Sequence, residues 1–359
     1  MFDNILISFG LKSADYKVEA FGSGLINHTY KLTGKAHDYV LQQINTNVFK
    51  KPHNIVNNLS LVKEYLSETN PDYLFVAPLK ALSNDFLVKS ATGDYFRLFP
   101  FVKGSHTVNT LENEQEAYQA AQQFGRFTRM LHDFDINKLE YTLVDFHNLK
   151  LRFDQFKAAS VTANALRLAQ ASDEIKAVYN NLQILQTYNE LVSNNKIPLR
   201  VVHHDTKINN VLFDANKNAL CLVDLDTVMP GYYLSDIGDM MRTYLSPVNE
   251  EETDLSQIHV REDFFRCIYK GYMSEMGSIL TETEKQHFIF SGEMMIYMQG
   301  LRFLTDFLNN DIYYGAKYPD HNLVRAKNQF KLLTEYLNAE PTFKTMIASV
   351  DKEFLAAEI

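Results

Sequence analysis

The chain has 359 residues, 46% of them hydrophobic and 13% aromatic, so it can bury a large core and is expected to form two lobes. Its 35 basic and 44 acidic residues give a formal net charge of −9 without a Lys/Arg-rich cluster, which argues against nucleic acid or an anionic membrane as a partner. Cys221 and Cys267 are its only cysteines, so a reducing compartment fits better than a disulfide framework. Because neither a leader-like N-terminus nor an uncharged stretch of membrane-spanning length is present, we expect a cytoplasmic protein.

Residues 1–103 are predicted to form a β-rich lobe with one helix. Residues 18–44 are typical of a hairpin-rich start that ends in the strand YVLQQI. Apolar residues at positions 55, 59, 62 and 66 predict a helix over residues 54–68. The strand-like segments FLVKSA and YFRLFPFV follow, on either side of a Thr-Gly-Asp turn.

After residue 103 the hydrophobic pattern changes to the period of helices. Apolar residues recur at helical spacing from Ala117 to Phe134, and residues 173–193, 282–309 and 322–338 are also predicted to be helical. The chain is therefore predicted to be an α+β protein, with a small β-rich lobe over 1–103 and a larger, mainly helical lobe over 104–359.

A strand, a polar loop and a hairpin are predicted within residues 200–225. The β-branched runs RVVH, VLF and ALCLVDL are separated by a loop and by the turn residues DANKN. Asp205 and Asn210 then lie on the loop, and Asp224 closes the last strand. The spacing His203-x-Asp205-x-x-x-x-Asn210, with Asp224 fourteen residues later, is the pattern with which kinase-type folds orient a hydroxyl and hold Mg²⁺.

Each residue type in this motif suits a part of phosphoryl transfer. Asp205 can orient an attacking hydroxyl and accept its proton, while Asn210 and Asp224 offer the oxygen ligands that Mg²⁺ prefers. Lys207 can reach a phosphoryl oxygen as a point charge, and His203 is expected to brace the loop. The alternative, that Asp205 and Asn210 only cap and turn a surface loop, explains each residue alone but not the joint spacing with Asp224.

The order of the lobes and this motif resemble the aminoglycoside phosphotransferase and choline kinase superfamily, which implies a bilobal, protein-kinase-like fold. The segments GSGLINHTYKL, HHDTKINNVLFD, DLDTVMPG, GLRFLTDFLNNDIYY and KYPDHNLVR are further similar to bacterial N-acetylhexosamine 1-kinases. The resemblance implies Mg²⁺-dependent transfer of phosphate from ATP to the anomeric hydroxyl of N-acetylglucosamine or N-acetylgalactosamine. It implies Asp205 as the base, and Asn210 and Asp224 as the metal ligands.

The resemblance also suggests residues for the sugar. Arg302 and Tyr313 match positions that line the family's sugar site, and the base itself contacts the acceptor. Asp226 and Thr227 sit beside the metal-binding Asp and are expected to shape the pocket. Two simpler interpretations stay open: Arg302 forms an ion pair with Asp306, four residues along a helix, and Tyr313 is a packing residue.

The nucleotide is expected to bind through the glycine-containing turn, the strand YVLQQI and the segment RLFPFV. The residues that we expect to contact it are Gly22, Ser23, Gly24, Gln42, Phe99 and Phe101. A lone G-x-G is weak evidence for this, and it is more typical of a plain hairpin turn. Where protein kinases carry the lysine of V-A-I-K, this chain has Val40-Leu41-Gln42-Gln43, so the strand lysine is absent and Gln42 offers only a neutral hydrogen bond. Phosphate neutralisation is therefore left to Mg²⁺ and Lys207.

Two departures from the resembled family leave the sugar preference open. His204 stands where the family commonly has Asn, and Leu25 stands where its members have a polar residue near the sugar. A same-fold kinase of choline or an aminoglycoside is one alternative. A catalytically silent nucleotide-binding regulator is another, suggested by the missing lysine. The expected partners are ATP and a small sugar, without nucleic acid or membrane, for a monomer or homodimer.

Overall fold

The structure is a computed structural model that describes residues 2–22 and 26–357. The chain divides into two compact units. Unit 1 comprises Met1–His106, Met130–Val144 and Leu212–Pro230. Unit 2 comprises Thr107–Arg129, Asp145–Val211 and Gly231–Ile359. The predicted α+β class is confirmed, with the main sheet near the N-terminus and mostly helices after it.

The first elements of the chain build one antiparallel sheet. They are α1 (Asp3–Ser8), β1 (Tyr16–Ala20), β2 (His28–Gly34), β3 (Tyr39–Ile44), α2 (Pro52–Thr69), β4 (Val88–Lys89) and β5 (Tyr95–Pro100). The five strands pair in the order β1-β2-β3-β5-β4. The predicted hairpin-rich start is therefore confirmed.

One face of this sheet is apolar and carries the core of unit 1. Leu32, Leu41 and Leu98, from three neighbouring strands, are buried together with Ile5 and Leu6 of α1. Because side chains alternate between the two faces of a strand, the residues next to these leucines in sequence point to the opposite face. This second face is the one available for polar contacts.

The predicted helical stripe is confirmed in α2. Ile55, Leu59, Val62 and Leu66 are all buried, and a proline at the start of the helix suits the first turn, where its missing N–H costs nothing. Asn58 is also buried on α2, although it is polar. Its Nδ2 donates to the carbonyl oxygens of Glu140 at 2.8 Å and Val228 at 3.0 Å, and its Oδ1 accepts from the Glu140 N–H at 2.9 Å.

The rest of the chain is mostly helical. It contains α3 (Glu114–Met130), α4 (Leu149–Thr162), α5 (Ala165–Gln170), α6 (Ser172–Asn180), α7 (Leu182–Ser193), β6 (Arg200–Val202), β7 (Val211–Phe213), β8 (Ala219–Leu222), β9 (Met229–Gly231), α8 (Leu234–Tyr244), α9 (Glu262–Met276), α10 (Glu282–Gln286), α11 (Phe288–Leu308) and α12 (His321–Ala357). β7 pairs with β8, and β6 with β9. No helix within the described residues combines the length and apolar character needed to cross a membrane.

Helix α11 is the centre of unit 2. Nearly all of its residues are buried, as expected for a helix that is apolar on all sides, and it packs against α4, α8 and α12. Gly238 lets α8 approach it closely. A Cβ at this position would lie 2.3 Å from the Ser291 carbonyl oxygen and 2.7 Å from the Met295 Cβ.

Several predicted boundaries were wrong. The helix predicted over 173–193 is two helices that meet at Asn181, whose φ of −114° leaves the helical region. The helix predicted over 282–309 is interrupted at His287. The short helix α10 before the break has a capping box at its N-terminal end. The last β-branched run ends at Leu222 instead of residue 225, because Asp224 takes a left-handed conformation with φ 55°.

We predict that Asn58→Ala lowers the free energy of unfolding by about 3 kcal/mol, because it leaves the buried Val228 carbonyl and the partly buried carbonyl and N–H of Glu140 without their partner. Urea denaturation measures the change. Asn57→Ala, on the exposed side of the same helix, is the matched control and should shift stability by less than about 0.5 kcal/mol. Equal effects of the two substitutions would contradict a buried bracing role for Asn58.

Candidate active site

The predicted catalytic loop brings three motif residues together. It leaves β6 and ends in a 3-10 turn over Ile208–Asn210. The Lys207 Nζ lies 3.0 Å from the Asp205 Oδ1. Asn210 Nδ2 donates to the Asp205 carbonyl oxygen at 2.9 Å and to its Oδ2 at 3.1 Å. Asp205, Lys207 and Asn210 thus form one hydrogen-bonded group.

The Asp205 carboxyl is held in its ionised form. Burial acts to raise its pKa, but the Lys207 ammonium, together with His203 and the hydrogen bond from Asn210, outweighs burial and lowers the pKa below its ordinary value. The Asp205 charge in turn raises the pKa of Lys207. A carboxylate with a low pKa is a weak base, but phosphoryl transfer through a loose transition state chiefly requires the hydroxyl to be oriented. Asp205 has the charge state for that task.

The donor set for a metal ion is compatible with Mg²⁺. Both hydrogen bonds to Asp205 come from Asn210 Nδ2. The Asn210 Oδ1 accepts no hydrogen bond among the described residues. Asp224 follows β8 in unit 1 with φ 55° and ψ 52°, a region that residues other than glycine seldom adopt. Across residues 2–22 and 26–357, no group of three or more His, Cys, Asp or Glu side chains is arranged to hold a metal. Mg²⁺ suits such a sparse set, since it is usually bound by one or two protein oxygens, water and phosphate.

Two acids of α8 fix the backbone of the catalytic loop. The N–H groups of His203 and His204 donate to the two carboxylate oxygens of Asp236, at 2.9 and 2.7 Å. The N–H of Thr206 donates to Asp239 Oδ2 at 2.9 Å. His204 has a φ of 68°, which these bonds hold in place. Neither acid was predicted from the sequence. Two acids three residues apart on a helix that is otherwise largely buried are unusual, and this was the available signal for a functional role.

The two acids have different electrostatic surroundings. Burial raises the pKa of Asp236 to about 7, although the two N–H donors oppose this. Burial raises the pKa of Asp239 too, but Arg242 opposes this from 2.9 Å, and Arg242 also pairs with Glu250 at 2.7 Å. Arg325 joins from the other side of Glu250. Burial acts to raise the pKa of Glu250, but the two arginines outweigh it and lower that pKa to about 2.

A buried histidine pair links the loop to the rest of unit 2. His204 Nδ1 lies 2.7 Å from the Ser235 Oγ, and the His147 Nδ1 contacts the same hydroxyl. The His147 ring stacks on Phe146, with centroids 4.2 Å apart and an interplanar angle of 19°. Burial holds the pKa of His147 well below its usual range, with further contributions from His204 and Arg302. His147 is therefore neutral near pH 7.

A cavity of about 400 Å³ in unit 2 contains both predicted sugar-binding residues. The Arg302 guanidinium carbon lies 6.0 Å from the Tyr313 ring centroid and 5.5 Å from that of Tyr314. Asp306 accepts the Tyr313 and Tyr314 N–H groups at 2.7 and 2.9 Å and forms no ion pair with Arg302 in the described part of the chain. The simple Arg302–Asp306 ion pair is therefore wrong. Tyr313 is 72% exposed, so packing is not its role either.

The charge of this cavity is positive. Arg152 also lines it, and burial lowers the pKa of Arg152, with a second contribution from the Arg302 charge. The Arg152 Nη2 donates to the carbonyl oxygens of Asp145 and Phe146, at 2.9 and 3.1 Å. The single lining carboxylate, Asp306, is already saturated by N–H donors, so the two guanidinium groups dominate.

The other predicted acceptor-site residues, Asp226 and Thr227, lie in unit 1 and are buried. Asp226 Oδ1 is 2.5 Å from the Arg97 Nη2, and its Oδ2 accepts from Asn27 Nδ2 at 2.8 Å. Thr227 ends the 3-10 turn Leu225–Thr227 that follows Asp224. Both carboxylate oxygens of Asp226 thus have partners inside unit 1.

The predicted nucleotide-binding residues also belong to unit 1. Gly22 has a φ of 80°, which only glycine adopts easily, whereas Ser23, Gly24 and Leu25 lie outside the described residues. Gln42 lies on β3. Phe99 lies on β5, directly opposite Val40 of β3. The Phe101 N–H donates to the Asp38 carbonyl oxygen at 3.1 Å. A contact from Phe101 to adenine would therefore use its ring or its carbonyl group.

Comparison with known proteins identifies the class. Residues 17–259 match the phosphotransferase enzyme family (APH), and the chain belongs to this family. Its fold is similar to an amicoumacin kinase solved with AMP-PNP and Ca²⁺, at 13% identity, a TM-score of 0.63 and 92% coverage of both chains. It is also similar to a choline kinase from Cryptosporidium parvum, at 14% identity and a TM-score of 0.54, covering 93% of this chain and 92% of the other. The predicted protein-kinase-like fold is confirmed.

We predict that Asp236→Asn loosens the catalytic loop, because an amide has only one oxygen for the two N–H groups that the carboxylate accepts. Hydrogen exchange measured by mass spectrometry should show the amides of His203 to Thr206 exchanging roughly 10- to 100-fold faster, as expected for losing about 1–3 kcal/mol of local stability. Asp254→Asn, on an exposed turn, is the control. Unchanged protection of the loop in Asp236→Asn would show that α8 does not anchor it.

We predict that His147 makes the protein sensitive to acid. Its pKa is lowered on folding, so below about pH 6.5 the unfolded chain binds more protons and folding stability falls as the pH falls. This contributes a loss of roughly 1.4 kcal/mol between pH 7.5 and 5.5. The stability advantage of the wild type over His147→Gln should therefore shrink over that range, measured by urea denaturation with His28→Gln as an exposed control. A constant difference would contradict a neutral His147.

Proposed function

We propose that this protein is an ATP- and Mg²⁺-dependent kinase that phosphorylates the anomeric hydroxyl of an N-acetylhexosamine, N-acetylglucosamine or N-acetylgalactosamine, to give the sugar 1-phosphate. In this proposal residues 1–103 bind the nucleotide, and residues 104–359 hold the catalytic loop and the sugar. The observation that carries it is the cavity with Arg302, Tyr313 and Tyr314, in the same unit as the ionised Asp205.

The charge of the cavity argues for this class of acceptor. Choline and aminoglycosides are cations, and a site for them needs carboxylates, or open aromatic faces without competing cations. Here Arg152 and Arg302 line the cavity, and Asp306 is saturated by N–H groups. A cation would meet two positive charges with little compensation. A neutral sugar with several hydroxyls and an acetamido group meets no such penalty.

The tyrosines and the arginine suit a sugar chemically. Tyr313 and Tyr314 have their rings nearly perpendicular, at an interplanar angle of 86°, and an aromatic ring offers a face to the apolar C–H side of a pyranose. Arg302 uses Nη1 to donate to Gln299 Oε1 at 3.1 Å, and the fork of a guanidinium has further N–H groups for hydroxyl or acetamido oxygens. A cavity of about 400 Å³ is within the usual size of small-molecule sites.

The reaction then needs mainly positioning and charge compensation. Asp205 accepts a hydrogen bond from the anomeric hydroxyl and aims its oxygen at the γ-phosphorus. The new O–P bond forms as the bond from the γ-phosphorus to the bridging oxygen of ADP breaks; ADP leaves, and the hydroxyl proton passes to the Asp205 carboxylate. Lys207 offers its ammonium to a phosphoryl oxygen. Asn210 and Asp224 would hold Mg²⁺, which neutralises the phosphate charge. Asp226 and Thr227 shape the acceptor pocket beside the metal-binding Asp.

The decisive experiment is an acceptor panel. The purified protein is incubated with ATP and Mg²⁺ and with N-acetylglucosamine, N-acetylgalactosamine, glucose, choline or kanamycin, and ADP release is measured. Turnover with the N-acetylhexosamines, with ³¹P NMR showing an anomeric phosphate, supports the proposal. Turnover with only choline or kanamycin would replace it by the same-fold alternative. Absence of turnover with every acceptor would favour a nucleotide-binding regulator.

We predict that Asp205→Asn lowers kcat roughly 10²- to 10⁴-fold, the range for losing a positioned base, and leaves the affinity for ATP nearly unchanged. Steady-state kinetics and calorimetric titration with ATP separate the two effects. Asp173→Asn, whose side chain is 83% exposed, is the control and should behave as the wild type. Near-full turnover of Asp205→Asn would exclude Asp205 from the reaction.

A further inference from the structure

A polar row crosses the second face of the unit 1 sheet. Thr29 of β2 lies opposite Gln42 of β3, and Gln42 lies opposite Arg97 of β5. Leu41 and Leu98, their neighbours in sequence, point into the apolar core, so these three residues point the other way. The row therefore crosses three adjacent strands at the position where protein kinases carry the strand lysine that is missing here.

Arg97 is the cation of this row, and it is fixed in orientation. Its Nε and Nη2 donate to Gln42 Oε1 at 3.1 and 2.9 Å. Gln42 Nε2 donates to the Thr29 Oγ1 at 3.1 Å, which orients the Gln42 amide so that its oxygen faces Arg97. The Arg97 Nη2 also lies 2.5 Å from Asp226 Oδ1. Arg97 is only 1% exposed, so little freedom is left to it.

These contacts leave one edge of the guanidinium without a partner. A guanidinium has five N–H donors. Nε and Nη2 each give one to Gln42, and the contact from Nη2 to Asp226 Oδ1 is an ion pair without hydrogen-bond geometry. The buried Nη1 has no acceptor among the described residues. Buried donors without an acceptor cost free energy and are rare in native proteins. Such a group therefore points to a ligand with oxygen acceptors.

We propose that Arg97 binds a phosphate group of the nucleotide through Nη1 and so takes the place of the missing strand lysine. The inference rests on the proposed function, because it requires a nucleoside di- or triphosphate as the ligand. Gln42, on the strand that lacks the lysine, sets the direction of the arginine instead of contacting phosphate itself. Arg97 is the single arginine in the sequence of the unit 1 segments.

Asp226 is what keeps this cation next to the metal-binding residue. It follows Asp224 by two residues in the same unit, and its carboxylate is held by Asn27 on one side and Arg97 on the other. An arginine suits this double role better than a lysine, because its planar fork can face a carboxylate with one edge and a phosphate with another. The ion pair alone, as a purely structural element, would not explain the unpartnered Nη1.

Lys31 is another cation on this face of the sheet, but its position fits a phosphate less well. It lies one row away, opposite Val40, with its Nζ 3.8 Å from the Phe101 ring centroid and 4.0 Å from Asp38 Oδ2. Its charge is thus already shared between a ring and a carboxylate. Lys31 is therefore not assigned to the phosphates.

The test measures binding rather than turnover. Calorimetric titration with ADP and Mg²⁺, and with adenosine, is carried out on the wild type and Arg97→Met. We expect ADP affinity to fall roughly 10- to 100-fold, the range for losing a charge-assisted hydrogen bond, and adenosine affinity to stay the same. Lys89→Met, an exposed cation on the same face of the same sheet, should match the wild type.

Two further variants extend the test. The first keeps it informative where Arg97→Met fails to fold, and the second asks whether a lysine on β3 replaces the arginine. Arg97→Lys keeps the charge without the fork and should lose only part of the ADP affinity. Gln42→Lys combined with Arg97→Met restores a lysine directly opposite the deleted arginine and should recover much of it. Equal ADP affinity in Arg97→Met and the wild type, or a parallel loss for ADP and adenosine, would overturn the inference alone. A wild type that binds no ADP would overturn the proposed function and this inference together.

Discussion

The candidate site depends on a few backbone N–H groups held by buried carboxylates. The loop that carries Asp205 has little regular secondary structure, and His204 takes a left-handed φ of 68°. Without the bonds to Asp236 and Asp239, the N–H groups of this loop would be buried without acceptors, at a cost of about 1–3 kcal/mol each. Rigid α8 thus supplies the order that a loop lacks, and the direction of Asp205 follows from it.

The same carboxylates create an electrostatic problem that the surrounding residues solve. Asp205, Asp236 and Asp239 are like charges in one small region: Asp239 and Asp205 add to the raised pKa of Asp236, and Asp205 adds to that of Asp239. Arg242 and Lys207 compensate Asp239 and Asp205 directly. Asp236 has no ion-pair partner among residues 2–22 and 26–357, and burial, with a smaller contribution from the neighbouring carboxylates, raises its pKa to about 7. The strongest cations therefore stand beside the carboxylates that must stay ionised.

Local sequence patterns predicted most of the fold but little of what surrounds the site. The α2 stripe and the β7–β8 hairpin follow from period and turn residues, which are local properties. The break at Asn181 was missed because helical period continues across it. Arg97 and Gln42 are 55 residues apart and meet only through strand register. The sequence also could not show whether Arg302 pairs with Asp306, because the Tyr313 and Tyr314 N–H groups that bind Asp306 reach it only through the fold of the following loop.

Arg97 and Arg302, proposed to bind a phosphate and a sugar, are held by different contacts, and this difference follows from the chemistry of the two ligands. Arg97 is buried, ion-paired to Asp226 and fixed by Gln42. A fixed cation suits a phosphate, because the phosphate group is anionic whichever base the nucleotide carries. Arg302 has no carboxylate partner in the described chain and sits among the aromatic rings of Phe146, Tyr313 and Tyr314. A neutral sugar offers only weak dipoles, so a guanidinium that was already neutralised by a carboxylate would have little left to give it. An arginine between rings, with no carboxylate partner in the described chain, keeps the N–H donors that Gln299 does not use for such an acceptor.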